Sequence, residues 1–283
     1  MSVSKILPVR AAAFAVISIF AITFSAGPAA AHLPVVQPDK FEVTPGGLVE
    51  FRAGLAEPLI KFAYSKELLG SLGHDGGVSS LTGDIKYADG TSSPIRFFPS
   101  NTAKPETSSH NWGSAVVEKA GTSVVTLKFD FNSGTRPTVA FGKTLLNWTA
   151  DSAAAKSFGE DVLEITVAGE NTGPVSWGDG ITVQVALRGR PLPNVTASAT
   201  YDGAPLPKDP EEGEENNNEY IRKNTDESGK VTFKPDRPGT WIIAVEYSDE
   251  SAPKNRDEYS DAKRYPEWKG IRYRGTLVFQ VPK

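Results

Sequence analysis

The feature that most constrains the fold is a strict alternation of apolar and polar residues in short stretches. The clearest case covers residues 181–188, where every second residue is Ile, Val or Leu. A repeat of two residues is typical of a β-strand with one buried face. Similar stretches, separated by Gly, Pro, Asn and Asp, continue through most of the chain. The pattern therefore predicts an all-β protein.

The first 31 residues have the three parts of a secretory signal peptide. Lys5 and Arg10 give a basic start, residues 11–24 are apolar, and residues 25–31 are mostly small. The apolar stretch is too short to span a membrane, and the small residues end in an Ala-x-Ala cleavage pattern. We therefore predict that residues 1–31 are removed and that the mature protein is periplasmic or secreted.

The rest of the chain is long enough for two domains. Beyond residue 169 the sequence predicts six or seven strands, which fits an immunoglobulin-like β-sandwich of about 100 residues. Residues 169–179 are rich in Gly, Pro, Asn and Asp and separate these strands from the earlier ones. We predict two β-sandwich domains of immunoglobulin or transthyretin type, at residues 32–168 and 169–283.

Two β-hairpins are predicted in the first of these regions. The stretches 84–87 and 95–98 flank a turn at Asp89-Gly90, and the stretches 115–117 and 123–131 flank Ala120-Gly121. A turn of this kind between two alternating stretches is a short-range hairpin signal.

Composition and motifs exclude several classes of function. The predicted signal peptide carries two basic and no acidic residues, so its removal changes the net charge from −4 to −6. An acidic chain without a basic patch is a poor nucleic-acid binder. The sequence contains neither a Gly-x-Ser-x-Gly nucleophile motif nor a phosphate-binding glycine motif. We therefore expect no enzymatic activity.

A metal site is the remaining chemistry that the sequence supports. The mature chain contains no sulfur, because Cys is absent and the one Met is Met1. Nitrogen and oxygen ligands suit nickel, cobalt, copper(II) or zinc. Three histidines occur, His32, His74 and His110. Cleavage after Ala31 would join a free α-amine to the His32 imidazole, whereas cleavage after Ala29 would leave an amine-x-His arrangement.

The three histidines are the predicted metal ligands. His74 and His110 lie in glycine-flanked stretches that resemble loops. Loops converge at one end of a sandwich, where the mature N-terminus could also lie. One amine and three imidazoles would give four nitrogens, a set that favours tetragonal copper(II) or nickel(II).

The second region resembles a known family. It contains the pattern Arg/Lys-Gly-x-Pro-Leu at residues 188–192, Thr-Asp-x-x-Gly at 225–229 and Pro-Gly-x-Trp at 238–241. This combination, with Ala31-His32-Leu33-Pro34 at the predicted mature start, resembles periplasmic nickel and cobalt uptake components of the NikK type. That family is often described only as a conserved domain of unknown function. The resemblance implies a C-terminal sandwich similar to transthyretin and to carboxypeptidase regulatory domains.

The resemblance also implies a function without catalysis. The expected protein binds a divalent transition metal, nickel first and cobalt or copper as alternatives, and delivers it to a membrane metal transporter. One alternative is an envelope protein that binds another ligand or protein without metal. A copper histidine-brace protein is a further alternative. The sequence leaves the oligomeric state open.

Overall fold

The computed structural model describes residues 33–57, 61–62, 81–99, 110–133, 136–149, 162–169, 173–204, 221–251 and 270–283. Within these ranges the regular structure consists of β-strands, which confirms the all-β prediction. The same ranges contain no helix that is long and apolar enough to span a membrane.

The strands are numbered in chain order. Their bounds are β1 Leu33–Pro38, β2 Gly47–Glu57, β3 Lys61–Phe62, β4 Thr82–Tyr87, β5 Ser92–Pro94, β6 Arg96–Pro99, β7 His110–Val117, β8 Ser123–Ser133, β9 Arg136–Leu146, β10 Leu163–Val167, β11 Ile181–Leu187, β12 Arg190–Pro191, β13 Thr196–Tyr201, β14 Ile221–Asn224, β15 Lys230–Phe233, β16 Gly239–Asp249 and β17 Ile271–Val281.

Among the described residues these strands form three sheets. The central sheet has eight strands in the order β14-β13-β16-β17-β9-β8-β4-β5. The N-terminal sheet has the order β1-β2-β7-β6, and β3 also pairs with β2. The C-terminal sheet has the order β10-β11-β12, and β15 also pairs with β11. The pairing of β9 with β17 is parallel.

The central sheet is the middle layer between two cores. Along β9, Phe141 and Leu145 pack in a core with residues of the C-terminal sheet. Ala140 and Leu146, which alternate with them, pack in a second core with residues of the N-terminal sheet. Successive side chains of a strand point to opposite faces, so a strand that is apolar throughout can serve both cores.

The alternation that predicted β11 is confirmed. Ile181, Val183 and Val185 are buried, and the residues between them are only partly buried. These side chains face Trp241 and Phe279 of the central sheet in the first core. Burial of such apolar surface is the main stabilising contribution in this half of the molecule.

Strand β1 lies against the central sheet and is buried on both faces. Val36 packs in the core under the N-terminal sheet, whereas Val35 packs with residues of β16 and β17. The hydroxyl of Thr276 donates a hydrogen bond to the carbonyl of Pro34, and the hydroxyl of Thr144 donates one to the carbonyl of Val36. These two bonds anchor the edge of β1 on the adjacent strands β9 and β17.

One predicted hairpin is confirmed and the other is wrong. Asp89-Gly90 connects β4 to β5, although the paired strand is Ser92–Pro94 and not residues 95–98. Ala120-Gly121 does not form a hairpin, because β7 pairs with β2 and β6 while β8 pairs with β4 and β9. The short link between β7 and β8 therefore crosses from one layer to the next.

The central sheet contains strands from both predicted domains. β4, β5, β8 and β9 precede residue 169, and β13, β14, β16 and β17 follow it. β10, which also precedes residue 169, pairs with β11 of the C-terminal sheet. The division into residues 32–168 and 169–283 stays a prediction, but the two cores meet in one continuous sheet.

Candidate metal centre

The predicted ligands lie at or beyond the limits of the described structure. His32 and His74 lie outside the described residues. His110 is the first residue of β7, and its backbone pairs with Gly54 of β2, but its side chain is not among those described. The convergence of the three histidines therefore stays a prediction.

The described strands place two of the predicted positions at the same end of one sheet. Leu33, which follows His32 in the sequence, begins β1 and pairs with Ala56 of β2. On the other side of β2, His110 pairs with Gly54. Two strand spacings and a shift of two residues put the Cα atoms of Leu33 and His110 about 12 Å apart in a flat sheet.

At this end of the sheet, the β2 residue that lies between β1 and β7 is a glycine and has no side chain. Gly54 pairs with Val35 on β1 and with His110 on β7. Gly54 is itself buried, and so is its β1 partner Val35.

A positive charge lies one row further along β2. Arg52 pairs with Gln37 on β1 and with Trp112 on β7, and its Nη2 donates to Gln37 Oε1 at 3.1 Å. Loss of water around its carboxyl raises the pKa of Asp202 above the ordinary value of 3.8, and the charge of Arg52 opposes that shift. Arg52 and Asp202 thus interact electrostatically, and Arg52 would repel a cation bound nearby.

The described residues do not complete a metal site by themselves. Within the described ranges, no three His, Asp or Glu side chains come together in a group that could hold a metal ion. A metal centre in this protein would need ligands from the parts of the chain that lie outside those ranges. His32 and His74 are the predicted ligands there.

Arg188, in the first motif of the family resemblance, joins three parts of the C-terminal half. It lies in the two-residue turn between β11 and β12 and has a positive φ of 51°. Its Nη1 lies 3.2 Å from Asp249 Oδ2, and its Nη2 donates to the Tyr273 hydroxyl at 2.6 Å. Asp249 and Tyr273 are buried, so these contacts fix the turn against β16 and β17.

The second motif forms the turn before β15. Asp226 Oδ1 accepts hydrogen bonds from the main-chain N–H of Lys230 and from the main-chain N–H and hydroxyl of Ser228, each at 2.8 Å. These bonds, the one from Lys230 first, lower the pKa of Asp226 below 3.8. Gly229 has a φ of +73°, and a Cβ there would lie 2.6 Å from the carbonyl oxygen of Val185.

The third motif supplies a core residue. Trp241 is fully buried, and its Nε1 donates to the carbonyl of Arg237 at 3.0 Å. The Arg237 guanidinium lies 4.0 Å from the centre of the Tyr201 ring. All three motifs therefore have structural roles in the C-terminal half.

The sequence interpretation missed a buried ion pair between two layers. Lys143 Nζ on β9 lies 3.9 Å from Glu164 Oε1 on β10, and both side chains are almost completely buried. The available signal was a Lys between Phe141 and Leu145, in the apolar phase of β9. The pair links β9 of the central sheet to β10 of the C-terminal sheet.

A family model described as "Domain of unknown function (DUF4198)" matches residues 29–249. No curated protein matches the sequence.

Several solved structures are similar to this chain at low sequence identity. A DUF4785 family protein from Legionella pneumophila is 10% identical, with 74% of this chain and 50% of that chain covered and a TM-score of 0.28. The D0-D1 domain of intimin is 13% identical, with 88% and 100% covered and a TM-score of 0.20. The three N-terminal domains of the bacteriophage RB49 outer capsid protein Hoc are 12% identical, with 88% and 59% covered and a TM-score of 0.19. The chain thus spans half the length of the Legionella protein.

Proposed function

We propose that this chain, which belongs to the DUF4198 family, binds a divalent transition metal and delivers it to a membrane transporter. Nickel is the metal expected first, with cobalt and copper as alternatives. The ligands are His32, His74 and His110, and the protein is exported with residues 1–31 removed. This is the role that the resemblance to NikK-type uptake components implies.

The observation that carries the proposal is the register of β1 and β7 on the two sides of β2. The predicted mature terminus adjoins β1 at Leu33, and His110 begins β7. Both positions lie at the end of β2 where Gly54 contributes no side chain. Leu33 and His110 are more than 70 residues apart in the sequence but lie at the same end of one sheet.

The ligand chemistry supports the same site. With no Cys and no Met after Met1, imidazoles and the terminal amine are the nitrogen donors available to a divalent metal. Nitrogen-rich sites bind copper(II) and nickel(II) in tetragonal geometry. The net charge of −6 after loss of the signal peptide also favours cations over anions at the protein surface.

Metal binding is tested by titrating nickel into protein that begins at His32. His32→Ala, His74→Ala and His110→Ala should each weaken nickel binding by more than the roughly 10- to 100-fold that loss of a residue supporting a ligand costs. Ser92→Ala, at an exposed polar position of β5 in the central sheet, is the control and should leave affinity unchanged. Unchanged affinity in His32→Ala, or after acetylation of the α-amine, would refute the proposed site.

The charge of Arg52 provides an independent test. Arg52→Gln removes a positive charge close to the proposed site and should tighten nickel binding a few-fold at low ionic strength, because like charges repel. Added salt should reduce the difference between Arg52→Gln and the unchanged protein. Weaker binding in this variant would argue against a metal at this end of the sheet.

The alternatives give different results. An envelope protein that acts without metal would retain its function when all three histidines are replaced by Ala. A copper histidine-brace protein would form peroxide in the presence of copper and a reductant. Metal-dependent uptake that is lost in the triple variant would support the transport role.

A further inference from the structure

The outer face of the N-terminal sheet carries three exposed large apolar side chains. Leu48 on β2 and Val116 on β7 pair directly and are 51% and 47% exposed. Trp112, two rows further along β7, is 43% exposed. The residues between them on β2, such as Val49, are buried in the core on the opposite face. A water-facing sheet surface normally carries polar side chains at these positions.

Charges of opposite sign flank this apolar surface. Ser114 of β7 pairs with Glu50 of β2 on one side and with Arg96 of β6 on the other, so the three residues form one row. Glu50 and Arg96 are both exposed. Asp39 lies beside Glu50, because its Oδ1 accepts the Glu50 main-chain N–H at 3.0 Å. Within this row the β2 end is therefore acidic and the β6 end is basic. In the next row the positive charge of Arg52 is directed to Gln37 of β1, to which its Nη2 donates a hydrogen bond.

We propose that a second copy of this chain packs on this outer face, with a twofold axis that runs along β7. Rotation about such an axis exchanges the β2 and β6 sides and keeps the rows level. Glu50 of each copy then faces Arg96 of the other copy, which gives two equivalent ion pairs. Val116 and Trp112 lie on the axis and meet their own counterparts.

This arrangement matches the chemistry of the face. A twofold interface uses the same surface on both copies, so that surface must complement itself. Glu50 and Arg96, one strand away from β7 on either side of Ser114, meet this condition. Two sheets that pack face to face lie about 10 Å apart, a distance that the side chains of Trp112 and Val116 can fill together.

The proposal is tested by measuring molar mass and the dimer dissociation constant by light scattering and sedimentation, over a wide range of protein concentration. The unchanged protein should form a dimer. Glu50→Arg and Arg96→Glu should each weaken the dimer by more than about tenfold, because each creates two like-charge contacts. The double variant exchanges the signs and should restore the dimer.

Two further variants control for other causes. Val116→Lys should weaken the dimer, whereas Trp177→Ala, at a 59% exposed residue before β11, should leave it unchanged. Each substitution is at a surface position, and circular dichroism checks that each variant folds. Mass that remains monomeric at every concentration, or a dimer insensitive to both single charge reversals, would overturn the proposal. A dimer that forms only with nickel and is lost in the triple-histidine variant would also overturn it, since the metal and not this face would then join the copies.

Discussion

Replacement of Arg188 by Gly tests whether side-chain contacts outweigh backbone strain in the turn between β11 and β12. A non-glycine residue in the left-handed region costs about 1–2 kcal/mol, and Arg188 has a φ of 51°. Against this cost stand its contacts with Asp249 at 3.2 Å and with the Tyr273 hydroxyl at 2.6 Å. Arg188→Gly relieves the strain and removes both contacts.

The balance favours the contacts. A hydrogen bond to a charged group contributes about 1.5–3 kcal/mol. Because the Arg188 side chain is 31% exposed, the lower value applies, and two such contacts give about 3 kcal/mol. Subtraction of about 1 kcal/mol of relieved strain leaves a loss of about 2 kcal/mol in the free energy of unfolding. For a chain of this length the melting temperature should fall by about 4–8 °C.

Thermal and urea unfolding, followed by circular dichroism and tryptophan fluorescence, measure this loss. Asn194→Gly is the matched control, because Asn194 also has a positive φ, of 55°, and its side chain accepts an exposed hydrogen bond from Asn224. Its stability should change by less than about 0.5 kcal/mol. If Arg188→Gly is as stable as the unchanged protein, the reasoning from its contacts is wrong. Equal losses in both variants would assign the effect to the glycine backbone.

Other turns and contacts can be tested in the same way. Gly229→Ala puts a Cβ 2.6 Å from a carbonyl oxygen of β11, whereas nothing lies within 4 Å of a Cβ at Gly121. Gly121→Ala should therefore lose only the left-handed strain of about 1–2 kcal/mol, and Gly229→Ala should lose clearly more free energy of unfolding in urea. Equal losses would contradict the steric argument. The pKa of Asp226 is lowered below 3.8 in the folded state, so its ionised form stabilises the protein above that pH and this contribution is lost as the pH falls. The stability difference between Asp226→Asn and the unchanged protein should therefore shrink on acidification, and a difference independent of pH would exclude this linkage. Thr276→Val removes the donor to the buried Pro34 carbonyl at a cost of about 1–3 kcal/mol, and should speed amide hydrogen exchange in β1; unchanged exchange would show that the bond does not hold the strand.

The sequence predicted strands best where one face of the strand is buried. β11 has the bounds expected from its alternation, because one row of side chains lies in the core and the other does not. β1 was missed because both of its faces are buried, so it shows no alternation, and because Pro34 and Pro38 argue against a strand. Prolines are tolerated there since β1 is the edge strand of its sheet.

Pairing between distant strands could not be predicted from local patterns. The turn residues at Ala120-Gly121 gave the same signal as those at Asp89-Gly90, yet of these two turns only Asp89-Gly90 joins paired strands. What differs is the sheet to which each flanking strand belongs, and that choice depends on contacts between residues far apart in the sequence. The parallel pairing of β9 with β17, which joins the two halves in one sheet, has no local signal either.

The candidate site was predictable in composition but not in arrangement. The absence of sulfur limits the metal ligands to nitrogen and oxygen, and histidines are few enough to name individually. Spacing in the sequence gives no information on whether His32 and His110 approach each other. The register of β1, β2 and β7 shows instead that Leu33, next to His32, and the backbone of His110 lie at the same end of the sheet. The contact between Arg52 and Gln37, one row away, had no signal in the sequence.

The motifs that carry the family resemblance constrain the fold of the C-terminal half and not the metal. Arg188 fixes a turn, Asp226 orders the approach to β15, and Trp241 fills the core. A family member that keeps these three residues would therefore keep the C-terminal sandwich whatever it binds. The metal hypothesis depends instead on the N-terminal sheet, where the predicted terminus and His110 adjoin opposite sides of β2. Arg188→Gly should accordingly lower stability without changing nickel affinity in the folded protein, whereas His110→Ala should lower nickel affinity with little change in stability. If the two variants showed the opposite effects, the separation of fold and function between the two halves would be wrong.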